Sequence, residues 1–439
     1  MFLFLLTFGG TGASAVDYHI DGAHPRLLLT PRHKRLLERE RERQSMRWVQ
    51  FEALIRGGTP MPEPGFANAL FYAAGGGREF GREAIHWARG TQRDLRQTAL
   101  VFDWCHDLLS EEEKSALTAT LEQSIGSRPR PGSVSDVRDR LLAALALAGH
   151  RDAVAEAELA WVIDEWWRKL MAPGLLNGDP VFKRGDIYPL AEILHLVRDA
   201  ARVDLRVEAK QYFVDLPAYL LLSYYPAVYP AAENDYHIPV IHDGGQPDLR
   251  DAMLARAANL ALVSLDPNSQ ETQFLQGWSM QDAFVLRSSM GAPYEFFWAN
   301  PYQPGLSYYN APLVYYDERG GRLLARSIWD GQAEWFYLEN GVMQTFRDGQ
   351  IQILNAQNFT APLTVGEVVI WPLGGQRRMR IPSEGPRVFF LLGLKPKMKY
   401  DIEVDDEGLY EQEADRSGIL LVEFLEGRGA GLRLRPSPR

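Results

Sequence analysis

The spacing of apolar residues divides the chain into two textures. From about 25 to 289 they recur every three to four positions, segment after segment, with Gly, Pro and polar breaks between them. That is the period of amphipathic helices sharing a core. The first segment opens at Thr30-Pro31, an N-cap residue followed by proline at the first helical position, and runs through Leu36, Leu37 and Trp48. Further helices are predicted over 79–89, 91–109, 111–125, 137–148, 153–171, 189–201, 205–222, 249–265 and 281–288, with Ser110 and Glu113 spaced as a capping box. Consecutive helices joined by brief turns suit a solenoid of hairpins or the same hairpins closed into a ring. The chain carries no solenoid repeat signature, which favours the ring: an α/α toroid, incomplete or of six full hairpins, over 24–309.

After Pro301 the period shortens. Strand-like runs at 313–316, 323–328, 334–338, 350–354, 367–371, 388–392, 400–404 and 418–424 are separated by Gly, Asp and Pro, the pattern of an antiparallel β-sandwich, here 310–439. Between the two textures lies the aromatic stretch from Tyr294 to Tyr302. It is expected to pack one domain on the other, or to offer Trp298 and Tyr302 as stacking faces for sugar rings.

Composition narrows the function classes. Hydrophobic residues make up 46% and charged residues 24%, enough for a sizeable core in each domain. A net charge of −10 gives no global field for nucleic acid, so a polyanionic partner would need a local basic cleft. Residues 1–15 combine the apolar run Phe2-Leu3-Phe4-Leu5-Leu6 with the ending Ala13-Ser14-Ala15, which reads as a short signal peptide and predicts a secreted or periplasmic protein. No later run is apolar and long enough for a membrane span. Cys105 is the one cysteine, so neither an intrachain disulfide nor a cysteine metal site is available. There is no phosphate loop, dinucleotide fingerprint or nucleophile elbow, and no cofactor is expected.

The polar chemistry gathers in two places. Arg184-Gly185-Asp186-Ile187-Tyr188 precedes a helix, and Glu233-Asn234-Asp235-Tyr236-His237, followed by His242-Asp243-Gly244-Gly245, fills a long interhelical loop. Tyr236 and His237 are candidate acid and base, Asn234 a candidate carboxylate neutraliser, Arg184 a carboxylate clamp and His242 a further binding residue. The spacing of Asp235, His237, His242 and Asp243 matches no metal motif, so no metal is expected. Asp186, Glu233 and Asp235 are the carboxylates a glycoside-hydrolase alternative would use.

Several motifs occur in a known order. His24-Pro25-Arg26-Leu27-Leu28-Leu29-Thr30 resembles the toroid lead-in of the heparinase II/III and alginate-lyase group of polysaccharide lyases, and Phe102-Asp103-Trp104 resembles its "YDW" helix end. Arg184 to Tyr188 looks like that group's Gly-x-x-Tyr region, and Leu324-Ala325-Arg326-Ser327-Ile328-Trp329-Asp330 looks like its "RS-W" strand. The resemblance implies β-elimination from an acidic, uronate-containing polysaccharide, with Tyr188 as acid/base and Arg184 beside it to ease ionisation. It also exposes two departures. The place of the group's Asn-His pair reads Ser133-Val134-Ser135-Asp136, and the place of its "H-x-D-x-G" strand reads Gln344-Thr345-Phe346-Arg347-Asp348-Gly349. A non-catalytic glycan-binding or structural protein is therefore the alternative to a lyase.

Overall fold

The computed structural model describes residues 18, 20, 23–91, 94–127, 130, 132–231, 235–405, 408–424 and 429–437. The expected signal peptide at 1–15, Glu233 and Asn234 lie outside the described residues.

Helix α1 (Pro31–Glu42) starts where Thr30 accepts from the His33 amide and Pro31 holds the first position. The chain then turns through Gln44 at φ 47°, and Ser45 caps α2 (Met46–Arg56), so the segment predicted through Trp48 is two helices. The remaining helices are α3 (Pro64–Ala73), α4 (Arg78–Arg89), α5 (Leu95–Trp104), α6 (Glu111–Gly126), α7 (Val134–Ala146), α8 (Asp152–Ala160), α9 (Ala172–Leu176), α10 (Ile187–Ala201), α11 (Lys210–Leu222), α12 (Leu249–Leu265), α13 (Gln270–Ser279) and α14 (Ser288–Trp298). A π-helical stretch, Trp161–Met171, joins α8 to α9, and the Ser110–Glu113 capping box opens α6 as predicted.

Helices α3, α5, α7, α10, α12 and α14 form an inner ring. Gln97 of α5 accepts from the Gly65 and Phe66 amides of α3, and Arg138 of α7 donates to Glu192 of α10. The His195 ring of α10 meets the Ala261 carbonyl of α12, and Arg256 of α12 donates to Glu295 of α14. Phe66 then packs against Tyr294 and Phe297, closing α14 onto α3. Each inner helix thus touches the next around the ring. This is a full six-hairpin α/α toroid. The helix predicted at 281–288 is absent; that stretch is an irregular link with Ala283, Phe284 and Ser288 at positive φ. The aromatic stretch after it is instead the second half of inner helix α14. Buried on all sides, α14 has no polar face and hence no amphipathic period to read.

The short strands β1 (Tyr229–Pro230) and β2 (Asp235–Tyr236) pair in the loop before α12. Strands β3 (Val314–Asp317), β4 (Arg322–Arg326), β5 (Trp335–Glu339), β6 (Val342–Arg347) and β7 (Gln350–Leu354) make an antiparallel meander. Then follow β8 (Leu363–Val365), β9 (Val368–Pro372), β10 (Arg378–Ile381), β11 (Val388–Leu392), β12 (Lys399–Val404), β13 (Gly408–Glu413), β14 (Leu420–Glu423) and β15 (Ala430–Pro436). They form two further sheets, ordered β14-β11-β9-β8 and β10-β15-β12-β13. The expectation of purely antiparallel pairing needs one correction: β9 and β11 are parallel, because the chain crosses to the third sheet as β10 before it returns.

The sandwich has three sheets. Leu323, Ala325 and Phe336 of the meander pack on Ile370 and Phe390 of the mixed sheet. Val369, Phe389 and Leu391 on the mixed sheet's other face pack on Ile402 and Leu432 of the third. The meander's remaining face, Leu324, Trp335 and Tyr337, joins the helical core, where the Trp335 indole donates to the Leu222 carbonyl at 2.7 Å. Covered on both sides, β4 and β5 are buried at every position and show no alternation. Asp348-Gly349, at φ 51° and 75°, is the tight turn of the β6–β7 hairpin and not a remnant of a catalytic strand. Among the described residues, no helix is long and apolar enough to cross a membrane.

Candidate functional site

The toroid axis is filled by a charged network. The Tyr188 hydroxyl, at the start of α10, donates to Glu192 at 2.6 Å and accepts from Arg96 and from the Trp298 indole, each at 3.1 Å. Glu192 also takes Arg96 at 2.7 Å and Arg138 at 3.1 Å, while Glu63 takes Arg96 and the Tyr294 hydroxyl. Tyr188, Glu192 and Arg96 are buried. Burial, and next Glu192, push the Tyr188 hydroxyl well above its ordinary range, and Arg96 only partly offsets them. Two expectations change. The cation at Tyr188 is Arg96, not Arg184, and the phenol is harder to ionise, not easier.

A cavity of about 790 Å³ opens where α10, α12 and α14 end. Trp298 borders it but is buried, its ring packed on His195 and Phe297 and its indole N–H donated to Tyr188. Tyr302 stands at the rim, 39% exposed, with the Arg39 guanidinium 4.4 Å from its ring centre. Arg32, Arg35 and Arg39 line one wall; spaced i, i+3, i+7, they share one face of α1, and none has an ion pair among the described residues. Helix α1 has no acid in its first turn, so Arg32 and Arg35 add their charge to the positive end of the helix dipole. The one carboxylate in the lining, Asp199, is held by Arg198 at 3.0 Å.

The cavity's imidazoles are committed elsewhere. The His195 Nε2–H donates to the Ala261 carbonyl, and Nδ1 accepts from Arg198. Burial, and next the Arg198 charge, push His195 down to about 3, so it is neutral at pH 7. His33 sets its two ring nitrogens 3.1 and 2.6 Å from the Leu28 and Phe297 carbonyls, tying the lead-in to α14. Burial also lowers its pKa. The described lining is therefore mostly cationic and aromatic, and its carboxylate and imidazoles already have partners.

The opposite mouth, where the inner helices begin, is covered by the meander sheet and holds the other predicted residues. Tyr236 is buried beneath Arg287, and His237 lies between the Trp278 and Tyr224 rings, pushed down to about 4 by burial. Both line an enclosed space of about 20 Å³ with Asn259 and Arg256, room for about one water. Arg184 stacks over the other side of this cluster, 4.9 Å from the Tyr224 ring centre. His242 reaches the Tyr337 hydroxyl at 3.0 Å across the domain junction. Tyr188 bonds to Glu192, Arg96 and Trp298, whereas Tyr236 and His237 border the small space with Arg256 and Asn259, so the two groups stand in different surroundings. The structure does unite Trp298 and Tyr302. The wall of arginines escaped the sequence reading because a charge run on α1 looks like a solvated helix face; its i, i+3, i+7 spacing was the available signal.

Asp103 joins the two family-like landmarks. Its carboxylate takes the His24 ring at 2.6 Å and the Arg26 and Leu27 amides at 2.8 Å each, and the Trp104 indole donates to the Leu27 carbonyl. No protein-family model and no curated protein matches the chain. A solved structure described as a glycoside hydrolase overlays on it with a TM-score of 0.31 and 9% identity, covering 85% of this chain and 71% of the other. A likeness that small carries no argument about activity.

Proposed function

We propose that this protein binds an acidic, uronate-containing saccharide chain in the 790 Å³ cavity, without cleaving it there. The observation that carries the reading is the row Arg32, Arg35 and Arg39, without an ion pair among the described residues and lining that cavity together with the rim residue Tyr302, in a chain whose net charge is −10. Guanidinium groups take carboxylate or sulfate oxygens in forked pairs, and the aromatic faces take the apolar side of a sugar ring. Elimination would need a free base, and each ring nitrogen of both cavity histidines already sits against a polar group of the protein. Hydrolysis would need a second carboxylate beside Asp199.

Calorimetric titration with alginate, heparan, hyaluronan and pectin oligosaccharides tests this. At least one should bind, with affinity falling as salt rises, and the Arg35→Gln/Arg39→Gln pair should weaken it about tenfold or more. Ultraviolet absorbance runs alongside, because elimination creates a conjugated double bond. Absorbance that rises with wild type and is lost in Tyr188→Phe would replace the binding reading with the lyase one. No binding by any of the four polymers would remove both.

A further inference from the structure

We propose that His24, His106 and His150 form a binding site for one divalent transition-metal ion of the zinc class. The three residues are far apart in sequence and meet because the toroid sets α5 beside α7. His24 lies in the lead-in, His106 opens the 3-10 turn His106–Leu108 after α5, and His150 follows Gly149 in the turn after α7. One ring nitrogen of each lies within 4.8 Å of the others, and all three residues are partly accessible. Zinc holds imidazole nitrogens at about 2.0–2.1 Å, which in tetrahedral geometry sets them roughly 3.4 Å apart. Closing onto an ion asks for movements of about 1 Å, the scale of a small χ rotation.

Two further observations point to a ligand. The His106 Nε2 is buried without a hydrogen-bond partner, an unusual state for a polar atom and one that a metal bond would relieve. The His24 Nδ1 is held by the buried Asp103 carboxylate at 2.6 Å, the arrangement by which a carboxylate fixes the tautomer of a ligating imidazole and presents its Nε2. Three nitrogen ligands leave a fourth position for water, and imidazole donors suit zinc, copper or nickel over calcium or magnesium.

The competitor is Arg26. Its Nη2 lies 2.5 Å from the His24 Nε2, while Nη1 donates to the Ala148 carbonyl. His24 and His106 are stacked at 3.8 Å and 11°, so their rings must turn before both lone pairs reach one ion. Metal entry therefore displaces one Arg26 hydrogen bond and unstacks this pair.

The test uses the full chain, expressed without a polyhistidine tag and stripped of metal, titrated with zinc against a chromophoric chelator and with cobalt(II) followed by visible absorption. One zinc per chain is expected, with cobalt bands of a four-coordinate site. His106→Ala and His150→Ala should each weaken binding by about a hundredfold while the metal-free circular dichroism is unchanged. Arg26→Gln should tighten binding by about tenfold, because it removes the competing cation. Zinc binding that is absent, or indifferent to His106→Ala and His150→Ala, overturns the site whatever the saccharide experiments return.

Discussion

Replacing Glu192 by glutamine removes one negative charge from the centre of the toroid. The carboxylate is fully buried and takes hydrogen bonds from four donor atoms, Nε and Nη2 of Arg96, Arg138 and Tyr188. Burial alone would raise its pKa, but Arg96 and Arg138 outweigh it and hold the carboxyl below its ordinary value. In the variant two guanidiniums stay buried against a neutral amide, and breaking a buried pair of this kind costs about 3–5 kcal/mol. With an unfolding entropy of about 2.1 cal/mol/K per residue, 439 residues give roughly 0.9 kcal/mol/K, so Tm should fall by about 3–5 °C.

The pH dependence has a definite sign. A depressed folded pKa means that this contribution is complete above the unfolded value of about 4.3 and fades as pH falls through the lower folded value. Scanning calorimetry of wild type and Glu192→Gln from pH 7 downward should show the Tm gap closing at acid pH. Glu192→Leu combined with Arg96→Met and Arg138→Leu should recover most of the loss, because apolar replacement of a buried ion network is often neutral or better. A Glu192→Gln Tm within about 1 °C of wild type at pH 7, or a gap constant with pH, would refute the assignment.

Two further predictions concern the toroid. His195, neutral in the fold with a pKa near 3 against 6.5 unfolded, contributes stability that is complete above pH 6.5 and is lost as pH falls toward 3; His195→Gln should flatten that part of the denaturation profile. A Cβ on Gly277 of α13 would stand 1.8 Å from the Leu306 carbonyl oxygen, whereas one on Gly126 of α6 meets nothing within 4 Å. Gly277→Ala should therefore cost about 1–3 kcal/mol in guanidinium unfolding, and Gly126→Ala should gain about 0.4–1 kcal/mol; equal midpoints would sink this packing argument.

The sequence by itself determined the two halves, most helix starts and the order of the strands. These follow from local causes: Thr30-Pro31 and the Ser110–Glu113 box fix helix starts. It lost elements where burial erased the pattern. Helix α14 has no polar face to alternate with, since it is covered on all sides. Tertiary structure alone decided whether the hairpins close into a ring, because closure rests on contacts such as Phe66 with Phe297, 231 positions apart. It also decided which polar residues meet. Tyr188 looked like Arg184's partner from four positions away, yet the start of α10 turns its ring inward to Arg96, while Arg184 buries its guanidinium over Tyr224. The trio His24, His106 and His150 has no sequence spacing at all; α5 and α7 end at the same mouth, and only that adjacency makes three isolated imidazoles neighbours.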